Sequence, residues 1–365
     1  MTNGALRVLG IFRTLAVLLL HPVDLERVAE PGLADAEFEL RHGSARDFRA
    51  AVLGVLVAST ITYFSRRARV LSERRWPGVV PIVTASGVGA FAITQGERPE
   101  VAGTQILFLV FGVGVAAAIG TCRGESVRAV AIPLGAMSAA SLIATALLGE
   151  DSEGAARWVP VGPLFLHVAV LVWPWVIAGI AEAFSRGRVG TALGIGMAAQ
   201  VGLVMQRDPS TLVVFTLAML FTALSAGRTR DAWAFLGSGS LAASAAWLTR
   251  VDLESVRDVD AAWELARALG PIAWMVGVLA SVLAAIAPFR ALRKATETQA
   301  HAFGLGAATA LAGFCVRPII DQHDAVFFLG HGGSPIVGAL IACAIVSAWM
   351  PEPSTANLSS PGLSA

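Results

Sequence analysis

A chain of 365 residues that is 55% hydrophobic and only 15% charged is too poor in charge for a soluble globular protein, which carries about a quarter charged residues. Its formal net charge of +1 gives no support to a nucleic-acid partner. The three cysteines, Cys122, Cys315 and Cys343, lie far apart and have no metal-ligand spacing, so they read as small apolar packing residues.

The chain opens on an apolar run from Ala5 to Leu20, which is short and interrupted by Arg7 and Arg13. His21-Pro22-Val23-Asp24 does not supply the small-residue site of a cleaved signal peptide. A short spanning helix and an in-plane amphipathic helix both fit this run. Residues 24–48 are polar and mostly acidic, and read as extramembrane; Phe48 to Phe64 is the first good spanning candidate. Apolar blocks then follow at about 78–94, 103–120, 128–148, 159–183, 189–205, 210–227, 231–249, 270–289, 300–316 and 333–350. Each is close to the ~20 residues that cross the hydrocarbon core. Many are rich in Gly and Ala, which suits close helix packing in lipid. The expectation is an all-α, polytopic transmembrane helix bundle. It has a ten-helix core over residues 77–350, an extension over 1–76 with one or two further membrane-associated helices, and a disordered Ser/Pro-rich tail over 351–365.

The connections orient this bundle. Arg66, Arg67, Arg69, Arg74 and Arg75 precede the first core block, and alternate loops then carry Arg123 and Arg128, Arg186 and Arg188, Arg228 and Arg230, and Arg290, Arg293 and Lys294. The intervening loops hold most of the acids, among them Glu97, Glu150, Asp151, Asp208, Asp258, Asp260, Asp321 and Asp324. The excess of basic residues places the first set of loops in the cytoplasm and the acidic set outside.

Four polar patches lie on the outer side. The first is Arg157-Trp158 with His167 below it, a membrane-interface pairing in which Arg can reach phosphate. The second is the turn Gln206-Arg207-Asp208-Pro209-Ser210-Thr211, where Asp208 or Ser210 fits a helix cap with Pro209 in the first turn. The third is the loop Thr249 to Leu269, whose charges at helical spacings, such as Asp260, Glu264 and Arg267, fit a surface-lying helix. The fourth runs from Arg317-Pro318 through Asp321, His323 and Asp324 to Gly330-His331-Gly332-Gly333-Ser334-Pro335. Glycines directly before an apolar helix allow an anion close to a helix N-terminus. The stretch lacks the Lys-Ser/Thr pair of a P-loop, which speaks against nucleotide hydrolysis. No metal site and no cofactor are expected, although a divalent cation is compatible with the outer acids.

Glu153-Gly154-Ala155-Ala156-Arg157-Trp158-Val159-Pro160-Val161-Gly162-Pro163-Leu164 resembles the G-x-x-R-W-I-x-L-G-P-L stretch of the SEDS family, the FtsW/RodA/SpoVE-type proteins of cell division, cell shape and sporulation. Gln206 to Thr211 is similar to that family's Q-P-D-x-G-T turn, Gly330 to Pro335 to its S-Y-G-G-S-S motif, and Gln105 to the glutamine of its R-Q pair. The resemblance covers roughly residues 78–350, as a ten-helix SEDS-like core with extra N-terminal helices. It implies an integral protein of the bacterial inner (plasma) membrane. Its activity would be peptidoglycan glycosyltransfer, the polymerisation of lipid II on the outer face beside a penicillin-binding-type transpeptidase or another division protein. On that reading Arg157, Trp158, Gln206, Asp208, His331, Gly332, Gly333 and Ser334 bind the lipid-linked substrate, and an acid of the large outer loop, Asp258 or Asp260, is the general base.

The sequence also departs from the family. Where the family has Q-P-S-E-x-x-K, this chain has His167, Val168, Ala169, Val170 and, for the lysine, Trp173. The loop Thr249 to Leu269 lacks the D-P-x-G-x-G-Y-Q signature. Three readings stay open: a divergent glycosyltransferase of lipid-linked sugars, a non-catalytic SEDS-like scaffold in the division or elongation machinery, and a transporter or flippase of a lipid-linked solute.

Overall fold

The computed structural model describes residues 78–95, 99–122, 124–152, 155–161, 164–249, 271–292, 297–320 and 334–349, with a few positions between 31 and 38. The runs at 5–20 and 48–64, the loop 250–270 with Asp258 and Asp260, the stretch 321–333 with His331, Gly332 and Gly333, and the tail from 350 lie outside the described residues.

Among the described residues from 78 onward there are ten helices and one small sheet. In chain order they are α1 (Val79–Gln95), α2 (Pro99–Thr121), α3 (Gly124–Leu148), β1 (Glu150–Ser152), β2 (Ala155–Val161), β3 (Leu164–His167), α4 (Val168–Ser185), α5 (Val189–Met205), α6 (Pro209–Ser225), α7 (Thr229–Leu248), α8 (Pro271–Leu292), α9 (Thr298–Ile320) and α10 (Ser334–Trp349). Every one of the ten expected core blocks contains a helix. The chain is a multi-pass helical membrane protein. Within α2, α3, α4 and α9, segments of 18 to 25 residues are long and apolar enough to cross a bilayer. The physical reason for so much helix is that a backbone in hydrocarbon must satisfy its own N–H and C=O groups.

The block expected at 159–183 is not helical from its start. The strands β1, β2 and β3 form a three-stranded antiparallel sheet in that order, and α4 begins only at Val168. Val159-Pro160-Val161 is β-branched and carries a proline, which removes a helical donor. Val161 pairs with Leu164 across Gly162-Pro163, so the β2–β3 connection is as short as a hairpin allows. The apolar side chains that suggested a helix serve a strand equally well.

The described contacts fall into two compact units. The first takes in Met1–Val113, Leu253–Ala284 and Cys315–Val337. In it Ile82 and Ala85 of α1 are fully buried, and the buried Gln105 of α2 donates to the Ser86 carbonyl at 3.5 Å. The second takes in Gly114–Asp252, Ala285–Phe314 and Gly338–Ala365. Its centre is α4, in which every residue from Val176 to Phe184 is buried.

Small residues set the spacing in this second unit. A methyl on Gly135 of α3 would come within 2.9 Å of the Gly179 Cα and of the Trp175 carbonyl, both backbone atoms of α4. Pro174 has no N–H, which deprives the Val170 carbonyl of its helical donor, and Gly338 of α10 packs closely against that carbonyl. One buried polar network ties α5, α6 and α7. Gln200 donates to Thr216 at 3.4 Å and to the Phe235 carbonyl at 3.3 Å, and Ser238 donates to the Gln200 Oε1 at 2.8 Å. At the arginine-rich end Arg128 pairs with Glu297, and Arg186 pairs with the buried Glu182 at 2.7 Å.

Candidate functional site

At the opposite end of the second unit the sheet and the α5–α6 turn bring Arg157, Trp158, His167, Gln206 and Asp208 together. The turn is built from helix-end chemistry. The Arg207 N–H donates to Val204 at 3.0 Å and the Asp208 N–H to Leu203 at 3.2 Å, the bond pair of a Schellman cap. That cap demands a left-handed residue, and Arg207 adopts φ 54°. The equivalent positions after α4 and α6 are Gly187 and Gly227, at φ 70° and 71°. An arginine here is strained where glycine is not.

Asp208 follows at once as the N-cap of α6, with Pro209 in the first turn, as the sequence suggests. Its Oδ1 accepts from the Thr211 N–H and from the Ser210 hydroxyl, each at 3.1 Å. Its Oδ2 lies 3.9 Å from the Arg157 Nε and 3.7 Å from the His167 Nε2. Asp208 is wholly buried, where a carboxyl group is costly unless it has hydrogen-bond and charge partners.

Arg157, 8% exposed, stands on β2 and donates from Nη2 to the Arg207 carbonyl at 2.9 Å. The strained residue therefore presents the oxygen that holds the arginine. Trp158 and His167 face each other across the β2–β3 pairing, ring centroids 4.9 Å apart and edge to face. His167 caps α4, its Nδ1 accepting from the Val170 N–H at 3.4 Å. That bond makes Nδ1 the acceptor, so in a neutral ring Nε2 carries the proton toward Asp208. Gln206 is fully buried and donates from Nε2 to the Leu142 carbonyl at 2.7 Å, which ties the end of α5 to α3.

The structure thus gathers four of the expected site residues, Arg157, Trp158, Gln206 and Asp208, around one turn. Two further members, His167 and Arg207, were not among the expected binding residues. The signal for His167 was its place just below Arg157-Trp158; that for Arg207 was a non-glycine residue at a helix-ending position. Ser334 is buried at the start of α10 in the first unit. Where the family lysine is expected stands Trp173, wholly buried, its ring centroid 6.1 Å from that of Phe314. Among the described residues no group of three or more His, Cys, Asp or Glu side chains is placed to hold a metal ion.

No protein-family model and no curated protein sequence matches the chain. Solved structures do. The crystal structure of the rod shape determining protein RodA of Thermus thermophilus superposes with TM-score 0.59 at 16% identity, over 74% of this chain and 95% of that one. The fold is that of RodA. An aspartate-to-alanine mutant of the same protein gives TM-score 0.61 at 16% identity with the same coverage. A chain from a peptidoglycan synthase complex that coordinates polymerization and crosslinking gives 0.56 at 15% identity, over 74% of this chain and 96% of that one. The chain is accordingly SEDS-like in fold, over nearly the whole length of the RodA chains it matches. At 15–16% identity this likeness is one of backbone, and the RodA fold is carried here by a strongly altered sequence.

Proposed function

We propose that this protein acts in peptidoglycan synthesis at the bacterial plasma membrane, as a SEDS-like partner of a penicillin-binding-type transpeptidase, and that Arg157 engages the diphosphate of a lipid-linked disaccharide such as lipid II. The observation that carries this reading is the seating of Arg157. It is fixed by the Arg207 carbonyl at the end of the bundle that the acidic loops mark as outer, and among the described residues that bond and the ion pair with Asp208 leave most of its donor fork uncommitted. A guanidinium has five N–H donors in a planar fork suited to phosphate oxygens. Asp258 and Asp260 of the 249–269 loop are the candidates for the general base that would activate the sugar hydroxyl. The transpeptidase partner is supported by the likeness to a chain taken from a peptidoglycan synthase complex.

The test is polymerisation of lipid II by the purified protein, alone and with its partner transpeptidase, compared with Arg157→Lys. Lysine keeps the charge beside Asp208 but loses the fork. A charge-assisted hydrogen bond is worth enough for a loss of about tenfold or more in rate. Product formation unchanged in Arg157→Lys removes Arg157 from the site. No product from the native chain, under conditions where an active relative polymerises, favours a second reading, that of a non-catalytic scaffold. One observation speaks for that alternative: Trp173 fills with indole the place expected for a charged side chain.

A further inference from the structure

A cavity of about 330 Å³ opens at the other end of the second unit, among Ala181, Phe184 and Ser185 of α4, Ala226, Gly227 and Arg228 of the α6–α7 turn, and Thr298 and Gln299 of α9. This is the end that the arginine-rich loops mark as cytoplasmic. We propose that this pocket binds a phosphate-bearing anion, either an anionic lipid headgroup or free phosphate.

The argument is an accounting of charge and of donors. Three acids lie near the pocket: Glu182 is matched by Arg186 and Glu297 by Arg128, while Asp231, in the first turn of α7, is offset in formal charge by Arg230 beside it. Arg228 lines the pocket, and no ion pair to it occurs among the described residues. The formal charge left over at the cavity wall is therefore positive. Among the donors, the Gly227 and Arg228 N–H groups are spent on the Leu224 and Ala223 carbonyls. The Gln299 amide is spent on Glu297 and the Ser185 hydroxyl on the Glu182 carbonyl. What remains is the Arg228 guanidinium, the Thr298 hydroxyl, and the Thr298 and Gln299 N–H groups. The two N–H groups open α9 and have no intrahelical acceptor. A helix N-terminus and an arginine converging on one cavity present what a phosphate takes: oriented donors and positive charge. Gly227, at φ 71°, puts no side chain into the space. On a cytoplasmic orientation the two sources of such an anion are the headgroup phosphates of the inner leaflet and inorganic phosphate on the aqueous side.

The test uses the full-length protein in native mass spectrometry, with phosphatidylglycerol, phosphatidylcholine or inorganic phosphate as the added probe. The expected result is retention of one phosphatidylglycerol or one phosphate in preference to phosphatidylcholine, with retention falling about tenfold in Arg228→Gln. Arg230→Gln removes a charge two residues away that does not line the pocket, and retention there stays at the native level. Arg228→Lys, which keeps the charge, falls between the two and replaces Arg228→Gln if that variant does not fold. Preference for the lipid identifies a headgroup site; equal saturation by inorganic phosphate identifies a soluble anion site. Equal loss in Arg228→Gln and Arg230→Gln, or no preference over phosphatidylcholine, overturns the proposal. None of these readouts depends on polymerising activity.

Discussion

Arg207 concentrates the tension of the outer end in one residue. Its backbone takes the left-handed conformation that Gly187 and Gly227 take in the two matching turns. Its carbonyl holds Arg157, and its successor Asp208 is the buried acid between Arg157 and His167. Strain of this kind persists only where the surroundings over-determine it. Here the Schellman bonds on one side and the Asp208 cap on the other fix the turn whatever side chain sits between them. Replacing Arg207 by glycine should therefore leave the turn intact and relieve about 1 kcal/mol of backbone strain. The check is thermal or denaturant unfolding in detergent, where Arg207→Gly should melt above the native protein. A lower melting point would show that the arginine side chain contributes more than its backbone costs. The local half of this site was legible in the sequence, since Asp-Pro-Ser-Thr after an apolar run spells an N-cap and a first turn. The joining of Arg157 to Asp208 was not, because the two are about fifty residues apart and no local rule relates a strand to a distant helix cap.

At the scale of elements, helix existence was easy to read and the sheet was not. A run of about twenty apolar residues has few structural options in lipid. The stretch Val159 to Leu166 is equally apolar, but β2 and β3 pair through their backbones, Val159 opposite Leu166 and Pro160 opposite Phe165. Apolarity alone does not separate these cases; the punctuation by Pro160, Gly162 and Pro163 does. Packing between helices depends on single missing methyl groups. Gly135 and Gly179 let α3 and α4 approach until a methyl on either would meet backbone of the other. Backbone atoms cannot turn aside as a side-chain end can, so Gly135→Ala should cost about 1–3 kcal/mol by overpacking. Gly194 of α5 has nothing within 4 Å of the same added methyl, so Gly194→Ala should be neutral or stabilising. Unfolding of the two variants side by side checks the pair. Equal melting points would mean that the α3–α4 contact yields more easily than its geometry says.

For the whole molecule the decisive quantity is orientation, because it assigns the Arg157–Asp208 cluster and the Arg228 pocket to opposite sides of the membrane. The argument from loop charge is a count of arginines, and it can be checked with a residue already in the chain. Cys122 closes the α2–α3 connection beside the expected cytoplasmic arginines and is exposed, whereas Cys315 is part-buried within α9 and Cys343 is buried within α10. A membrane-impermeant maleimide added to intact spheroplasts should leave the chain unlabelled. After permeabilisation it should label one site, and Cys122→Ser should abolish that labelling. Labelling of Cys122 in intact spheroplasts would reverse the bundle. It would turn Arg157 toward the cytoplasm and remove the support for an outer-face, lipid-linked substrate. The same result would carry the Arg228 pocket to the outer leaflet. The phosphate site could survive such a reversal, since its charge and donors do not depend on orientation, but the peptidoglycan reading could not.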